Sequence, residues 1–159
     1  MAKLELKDFL TLGNAVAGIV GISLAIAGKS FAWYYVFFAL AFDFLDGRVA
    51  RKTSNANEFG KQLDSLADTV SFVVAPAIIA LHFQVDILLT AMCALYVCTG
   101  LLRLARFNLQ KEKGVFFGLP TPFAALIVLL VNAFIPAYVV WALFVTAVAM
   151  VTPVRIRKF

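Results

Sequence analysis

The sequence is poor in charged residues, in histidine and in cysteine. Only 14% of its 159 residues are charged, and it contains one histidine and two cysteines. Cys93 and Cys98 lie in one apolar run, which predicts small buried side chains with free thiols rather than a disulfide or a metal pair. No convincing cleavage site follows the first apolar run, so no cleavable signal peptide is expected, and no internal repeat is evident.

Apolar residues dominate the chain instead. They make up 63% of the sequence, and the mean hydropathy is +0.94. This composition is typical of a polytopic membrane protein, and it predicts an all-α fold with one domain over residues 1–159.

Six apolar segments are candidates for membrane-spanning helices. A helix needs about 20 apolar residues to cross the hydrocarbon core of a bilayer. The last two segments are short, and Asn132 with Pro136 predicts a turn between them. The predicted spans are residues 9–27, 31–50, 62–83, 87–107, 120–135 and 137–152.

The basic residues support an even number of spans. With six spans, 13 of the 14 lysines and arginines fall on one side of the membrane, and only Lys29 falls on the other. The positive-inside rule then predicts a multi-pass protein of the cell membrane with both termini in the cytoplasm. Because the net charge of +5 has this distribution, nucleic acid is not an expected partner.

Four aspartates stand out in this apolar chain. Asp43 and Asp46 are three residues apart, and Asp64 and Asp68 are four apart, so each pair shares one face of a helix. If the two helices face each other, four carboxylates gather, and they repel strongly unless cations are bound. Two divalent ions balance their charge, and oxygen ligands favour Mg²⁺, Mn²⁺ or Ca²⁺ over zinc. Such two-metal sites commonly catalyse displacement at phosphorus. The predicted topology places the aspartates at the cytoplasmic ends of the second and third spans.

The residues around the aspartates suit a phosphate-containing ligand. Small side chains let a bulky ligand approach the backbone, and an arginine can fork onto a phosphate. Two polar residues of the first span lie at the same predicted depth. The candidates for binding a nucleotide are therefore Gly47, Ala50, Arg51, Gly60, Thr11 and Asn14.

The pattern D-x-x-D-G-x-x-A-R-x(8)-G-x-x-x-D-x-x-x-D over residues 43–68 resembles the signature of the CDP-alcohol phosphotransferase family. The resemblance implies transfer of a phosphatidyl-type group from a CDP-linked lipid to an alcohol, with release of CMP. It also implies that Asp43, Asp46 and Asp64 hold one metal ion, that Asp43, Asp64 and Asp68 hold the other, and that the protein is a homodimer. Asp68 is then the expected general base.

Three further segments resemble the phosphatidylserine synthase branch of that family. They are RLARFN at 103–108, GLPTP at 118–122 and the tail PVRIRKF. The resemblance implies L-serine as the acceptor and CDP-diacylglycerol or CDP-archaeol as the donor. The serine carboxylate needs a cationic partner, although these arginines can equally anchor a helix to anionic headgroups. The candidates for binding serine are Arg103, Arg106, Asn108 and Lys61.

Two alternatives remain open at this point. The same chemistry can serve another acceptor, such as glycerol 3-phosphate, inositol or inositol phosphate. A divalent-cation channel or transporter is a different class with an acidic filter. Beyond the aspartates the second and third spans are almost wholly apolar, which disfavours conduction.

Overall fold

The described part of the chain is almost entirely helical. The computed structural model describes residues 6–53, 58–83, 85–109, 115–152 and 155–157. Each of the six predicted spans corresponds to a helical rod, so the helical prediction is confirmed for these segments. The helices are α1 (Leu6–Ile26), α2 (Tyr35–Thr53), α3 (Glu58–Asp68), α4 (Ala75–Phe83), α5 (Ile87–Leu109), α6 (Thr121–Phe134) and α7 (Val139–Val151).

Three short segments adjoin the α-helices and depart from α-helical geometry. A π-helical segment, Thr69–Val74, joins α3 and α4 into one continuous helix. A 3₁₀ turn at Ser30–Tyr34 precedes α2, and another at Pro136–Tyr138 precedes α7. Ile135 leaves the helical region with φ −140° and ψ 60°, which confirms the predicted break between the last two apolar segments.

Three helices are long and apolar enough to cross a membrane: Asp8–Ile26, Glu58–His82 and Ile87–Leu109. The apolar helices α6 and α7 have only 14 and 13 residues. At a rise of about 1.5 Å per residue they extend roughly 20 Å, against a hydrocarbon core of about 30 Å. The helix α2 is long but carries charges towards its C-terminal end. Six complete spans therefore remain a prediction.

Large apolar side chains cover much of the outer surface of the bundle. Phe38 is 66% exposed, Trp141 64% and Phe134 69%, although each belongs to or adjoins a well-packed helix. Water-soluble proteins rarely expose extensive apolar patches, whereas the hydrocarbon of a bilayer solvates them. The surface agrees with the helix lengths in indicating a membrane protein.

Small residues allow α1 to pack closely against α2. A Cβ atom on Gly13 would lie 3.0 Å from the ring of Phe42, and one on Gly21 would overlap the ring of Tyr35. Ala17, between them, is buried in the same interface. Such residues let helix backbones approach each other. This contact fixes α1 beside the helix that carries Asp43.

A short two-stranded antiparallel ribbon accompanies the all-α fold and was not predicted. The strand β1 (Val115–Phe117) pairs with β2 (Arg155–Arg157). The segments follow α5 and α7, which pack against each other. Their pairing therefore depends on helix packing between distant parts of the chain, which local sequence patterns do not reveal.

The two cysteines are free, as predicted, but only one of them is buried. Cys93 packs in the core with its sulfur 3.6 Å from the carbonyl oxygen of Ala77. Cys98 is exposed, which corrects the prediction for that residue. Five residues along a helix turn a side chain by about 140° at 3.6 residues per turn. The Cys98 thiol therefore lies on a different face of α5 from the Cys93 thiol.

Candidate metal centre and active site

The helices α2 and α3 bring three aspartates together. Oxygen atoms of Asp43, Asp64 and Asp68 all lie within 4.8 Å of one another, and Asp68 is buried. Asp43 comes from α2, whereas Asp64 and Asp68 lie one turn apart on α3. The expected convergence of carboxylates from two helices is therefore present for these three residues.

The fourth aspartate, Asp46, is held at the edge of this group by α1. It is only 6% exposed, and its Oδ2 accepts a hydrogen bond from Thr11 Oγ1 at 2.8 Å. It remains close enough for its charge to repel those of Asp43 and Asp64. It therefore lies beside, and not within, the group of three converging carboxylates.

Asp68 has its own partner on α1. Asn14 Nδ2 donates a hydrogen bond of 3.0 Å to Asp68 Oδ1, and both side chains are buried. Thr11 and Asn14 were predicted to lie near a nucleotide. In the structure their hydrogen bonds orient two aspartates, and contact with a nucleotide stays a prediction. Sequence reasoning singled out these two residues but did not predict this orienting role.

Among the described residues, the centre holds more negative charge than the nearby side chains compensate. Two unit charges 4 Å apart repel by about 4 kcal/mol at an effective dielectric of 20. Arg103 on α5 is within range of charge attraction to Asp43 and Asp68. Asp64 Oδ1 is buried and has no hydrogen-bond partner among the described residues. An all-oxygen donor set with such an orphaned carboxylate oxygen fits a hard divalent cation.

Open space adjoins the metal-binding face of α2. Of the described atoms, none would lie within 4 Å of a Cβ atom built on Gly47, which leaves room for a ligand beside the helix. Gly60 is half-buried on α3, one turn before Asp64. The side chains of Ala50 and Arg51 lie outside the described residues, so their predicted roles are not tested by the geometry.

The predicted serine-binding residues separate into different environments. Arg103 is half-buried beside the aspartates, and its Nη1 donates to Thr121 Oγ1 at 3.1 Å. Arg106 is exposed. Lys61 Nζ donates to the backbone oxygen of Asn108 at 2.6 Å, which ties α3 to the end of α5. Of the four candidates, Arg103 is the one for which the described residues show a charge attraction to the aspartates.

Thr121 is a site residue that the sequence reasoning missed. It is fully buried and accepts the hydrogen bond that orients Arg103. The signal was present, because Thr121 lies in the GLPTP segment that resembles the serine branch. Only the fold shows that the start of α6 lies beside α5 at this point.

Comparisons with known proteins agree with this site. A family model described as CDP-alcohol phosphatidyltransferase matches residues 4–153, which is most of the chain. The chain belongs to the CDP-alcohol phosphotransferase family. The matched range includes all four aspartates, whose role as the family's signature residues stays a prediction. Members of this family are metal-dependent in general, and three acidic side chains here can hold a metal ion.

Several curated relatives carry names from the serine branch of the family. The chain is 39% identical to a CDP-diacylglycerol–serine O-phosphatidyltransferase of Methanocaldococcus jannaschii, over 83% of this chain and 64% of the relative. It is 36% identical to the enzyme of that name in Bacillus subtilis, over 77% of this chain and 72% of the relative. It is 43% identical to an archaetidylserine synthase of Methanothermobacter thermautotrophicus, over 77% of this chain and 55% of the relative. The chain thus spans about half to three quarters of these proteins.

Proposed function

We propose that this protein transfers the phosphatidyl group of a CDP-diacylglycerol-type lipid to L-serine and releases CMP. The observation that carries the proposal is the convergence of Asp43, Asp64 and Asp68 from two different helices. Family membership supplies the reaction class, and the names of the relatives supply serine as the acceptor. The lipid product is phosphatidylserine, or archaetidylserine if the donor is CDP-archaeol.

Two divalent cations, Mg²⁺ or Mn²⁺, are the proposed cofactors. By family resemblance Asp43, Asp46 and Asp64 hold one ion, and Asp43, Asp64 and Asp68 hold the other. When bound, the ions neutralise the diphosphate of the donor and stabilise the attacking and leaving oxygens. Ca²⁺ also satisfies an oxygen donor set and is proposed only as a bound ion.

The protein's own groups then orient the substrates and move one proton. Asn14 holds Asp68 Oδ1, which leaves Oδ2 to accept the proton of the serine hydroxyl. The serine oxygen forms a bond to the phosphorus of the phosphatidyl group, and the bond from that phosphorus to the CMP oxygen breaks. CMP leaves with the bonding electron pair, and the guanidinium of Arg51 is proposed to offset its charge. Positioning and electrostatic stabilisation supply most of the catalysis.

Arg103 is the best-placed partner for the serine carboxylate. Thr121 accepts a hydrogen bond from its Nη1, whereas its buried Nε has no hydrogen-bond partner among the described residues. A buried donor without a partner costs free energy, and a carboxylate oxygen would satisfy it. Asn108 and Lys61, bound to each other, and the exposed Arg106 are proposed to support the acceptor side from the ends of α3 and α5.

The chain is further proposed to form a single domain over residues 1–159 with six spans and both termini in the cytoplasm. The asymmetry of its basic residues and the exposed apolar surface support this arrangement. The metal centre then faces the cytoplasm, where soluble serine meets the lipid donor. A homodimer is proposed from the family resemblance.

An acceptor panel tests the proposed function. Purified protein in detergent receives CDP-diacylglycerol or CDP-archaeol, Mg²⁺ or Mn²⁺, and one of serine, glycerol 3-phosphate, inositol or inositol phosphate. We expect CMP formation to depend on serine and on the metal, with a serine lipid as the product. CMP formation with a different acceptor assigns another member of the family, and no CMP with any acceptor rejects the enzyme class.

Replacing Arg103 with glutamine is expected to raise the KM for serine by about 10- to 100-fold, because a charge-assisted hydrogen bond contributes about 1.5–3 kcal/mol. The KM for the CDP-lipid should change much less. Steady-state kinetics with each substrate varied in turn measures both values. Arg106→Gln is the matched control on the exposed side of α5 and should have the smaller effect. A larger effect for Arg106→Gln contradicts the assignment.

A further inference from the structure

The segment that follows Asp68 leaves the α-helical path. Residues Thr69–Val74 form a π-helical stretch between α3 and α4. Within it, Ser71, Phe72 and Val73 are completely buried. Isolated π turns are rare, and they occur frequently at functional sites, because they change the direction of neighbouring side chains. Here the change of helical path begins at the residue after the proposed general base.

Two tyrosines from different helices bind consecutive carbonyl groups of this segment. Tyr35 on α2 donates its hydroxyl to the Ser71 oxygen at 2.7 Å. Tyr96 on α5 donates its hydroxyl to the Phe72 oxygen at 2.8 Å. Both tyrosines are buried, at 3% and 0% exposure. A buried hydroxyl is costly without a partner, so each phenol and its carbonyl favour the observed π-helical path.

The same segment is connected to Asp68 through α1. Ser71 Oγ donates to the Asn14 backbone oxygen at 2.7 Å, and the Asn14 side chain donates to Asp68. The helices are in close contact here, because a Cβ atom on Gly18 would lie 2.8 Å from the Ser71 Cα. A shift of the π segment would therefore move Asn14 and Asp68 together.

We propose that Tyr35 and Tyr96 are positioning residues that hold the π-helical segment and thereby fix the Asp68 carboxylate towards Asp43 and Asp64. If the segment relaxed to an α-helical path, α3 would rotate relative to α4, and Asp68 would turn away from the other two carboxylates. The two tyrosines touch neither substrate nor metal in this scheme. The catalytic part of this inference rests on the proposed function, whereas the structural part concerns metal binding alone.

The test removes single hydroxyl groups. Tyr35→Phe, Tyr96→Phe and Ser71→Ala are compared with Tyr138→Phe, in which the same atom is lost from a residue that is 61% exposed near α7. Each full-length protein is purified in detergent. Mn²⁺ affinity is measured by titration, the thermal midpoint by unfolding, and kcat and KM with the CDP-lipid and serine.

Loss of the Tyr35 or the Tyr96 hydroxyl is expected to weaken Mn²⁺ binding by about 3- to 10-fold and to lower kcat by about 3- to 30-fold. The KM for serine should change little, and Tyr138→Phe should match the unmodified protein. Ser71→Ala should also weaken Mn²⁺ binding. If a tyrosine variant does not fold, the Mn²⁺ affinity of Ser71→Ala tests whether the π-helical segment positions Asp68.

A lower thermal midpoint with unchanged Mn²⁺ affinity and unchanged kcat in the folded variants would overturn the inference, because the tyrosines would then only stabilise the bundle. The outcome is separable from that of the proposed function. If the unmodified protein binds Mn²⁺ but forms no CMP, the proposed reaction is wrong, and the Mn²⁺ affinities of the variants still decide the positioning role.

Discussion

Asp68→Asn is expected to lower turnover by at least about 1,000-fold while the affinity for the CDP-lipid stays close to that of the unmodified protein. The amide of asparagine cannot accept the hydroxyl proton as a carboxylate does. Its oxygen can still accept the hydrogen bond that Asn14 donates to Oδ1, so the local geometry is retained. CMP release measures turnover, and titration with a labelled CDP-lipid measures binding.

Asp86→Asn is the matched control for this substitution. Asp86 lies at the start of α5, where its Oδ1 accepts a hydrogen bond from the Leu89 amide at 2.8 Å. Asparagine caps a helix about as well as aspartate, so activity should be unchanged. If Asp68→Asn loses lipid binding together with turnover, Asp68 acts chiefly as a metal ligand. If it keeps full turnover, another group is the base.

Removal of divalent cations is expected to have the second large effect. Excess EDTA should lower CMP formation by at least about 100-fold, because the charge stabilisation of the transition state is lost. The carboxylates of Asp43, Asp64 and Asp68 are within 4.8 Å of one another, and their repulsion should then also lower the thermal midpoint. Both effects should be reversed by added Mg²⁺ or Mn²⁺.

The chelation experiment has two controls. EDTA that is already saturated with Mg²⁺ should leave activity intact, which excludes an effect of the chelator on the membrane helices. In Asp64→Asn, where one repelling charge is absent, EDTA should lower the thermal midpoint by less. Persistence of full activity in excess EDTA would contradict a metal-dependent reaction at this centre.

The acidic centre is the feature that local sequence predicted best. Spacings of three and four residues place Asp43 with Asp46, and Asp64 with Asp68, on single helix faces in any environment. The short polar segment between them predicts that the two helices are antiparallel neighbours. The helical segments were equally predictable, because apolar length is a local property. The exposure of Cys98 and the β1–β2 ribbon were not predictable, because they depend on which helices pack together.

The sequence by itself determined which residues are candidates for the centre and what chemistry they suit, because residue type and helical spacing are local properties of the sequence. Only the tertiary structure decided how those residues are held. The hydrogen bonds from Thr11 to Asp46 and from Asn14 to Asp68 join residues 35 and 54 positions apart. The contacts of Tyr35 and Tyr96 with the π-helical segment likewise join separate helices. Such contacts arise from the packing of α1, α2 and α5 around the continuous helix that contains α3 and the π-helical segment, which no local pattern specifies.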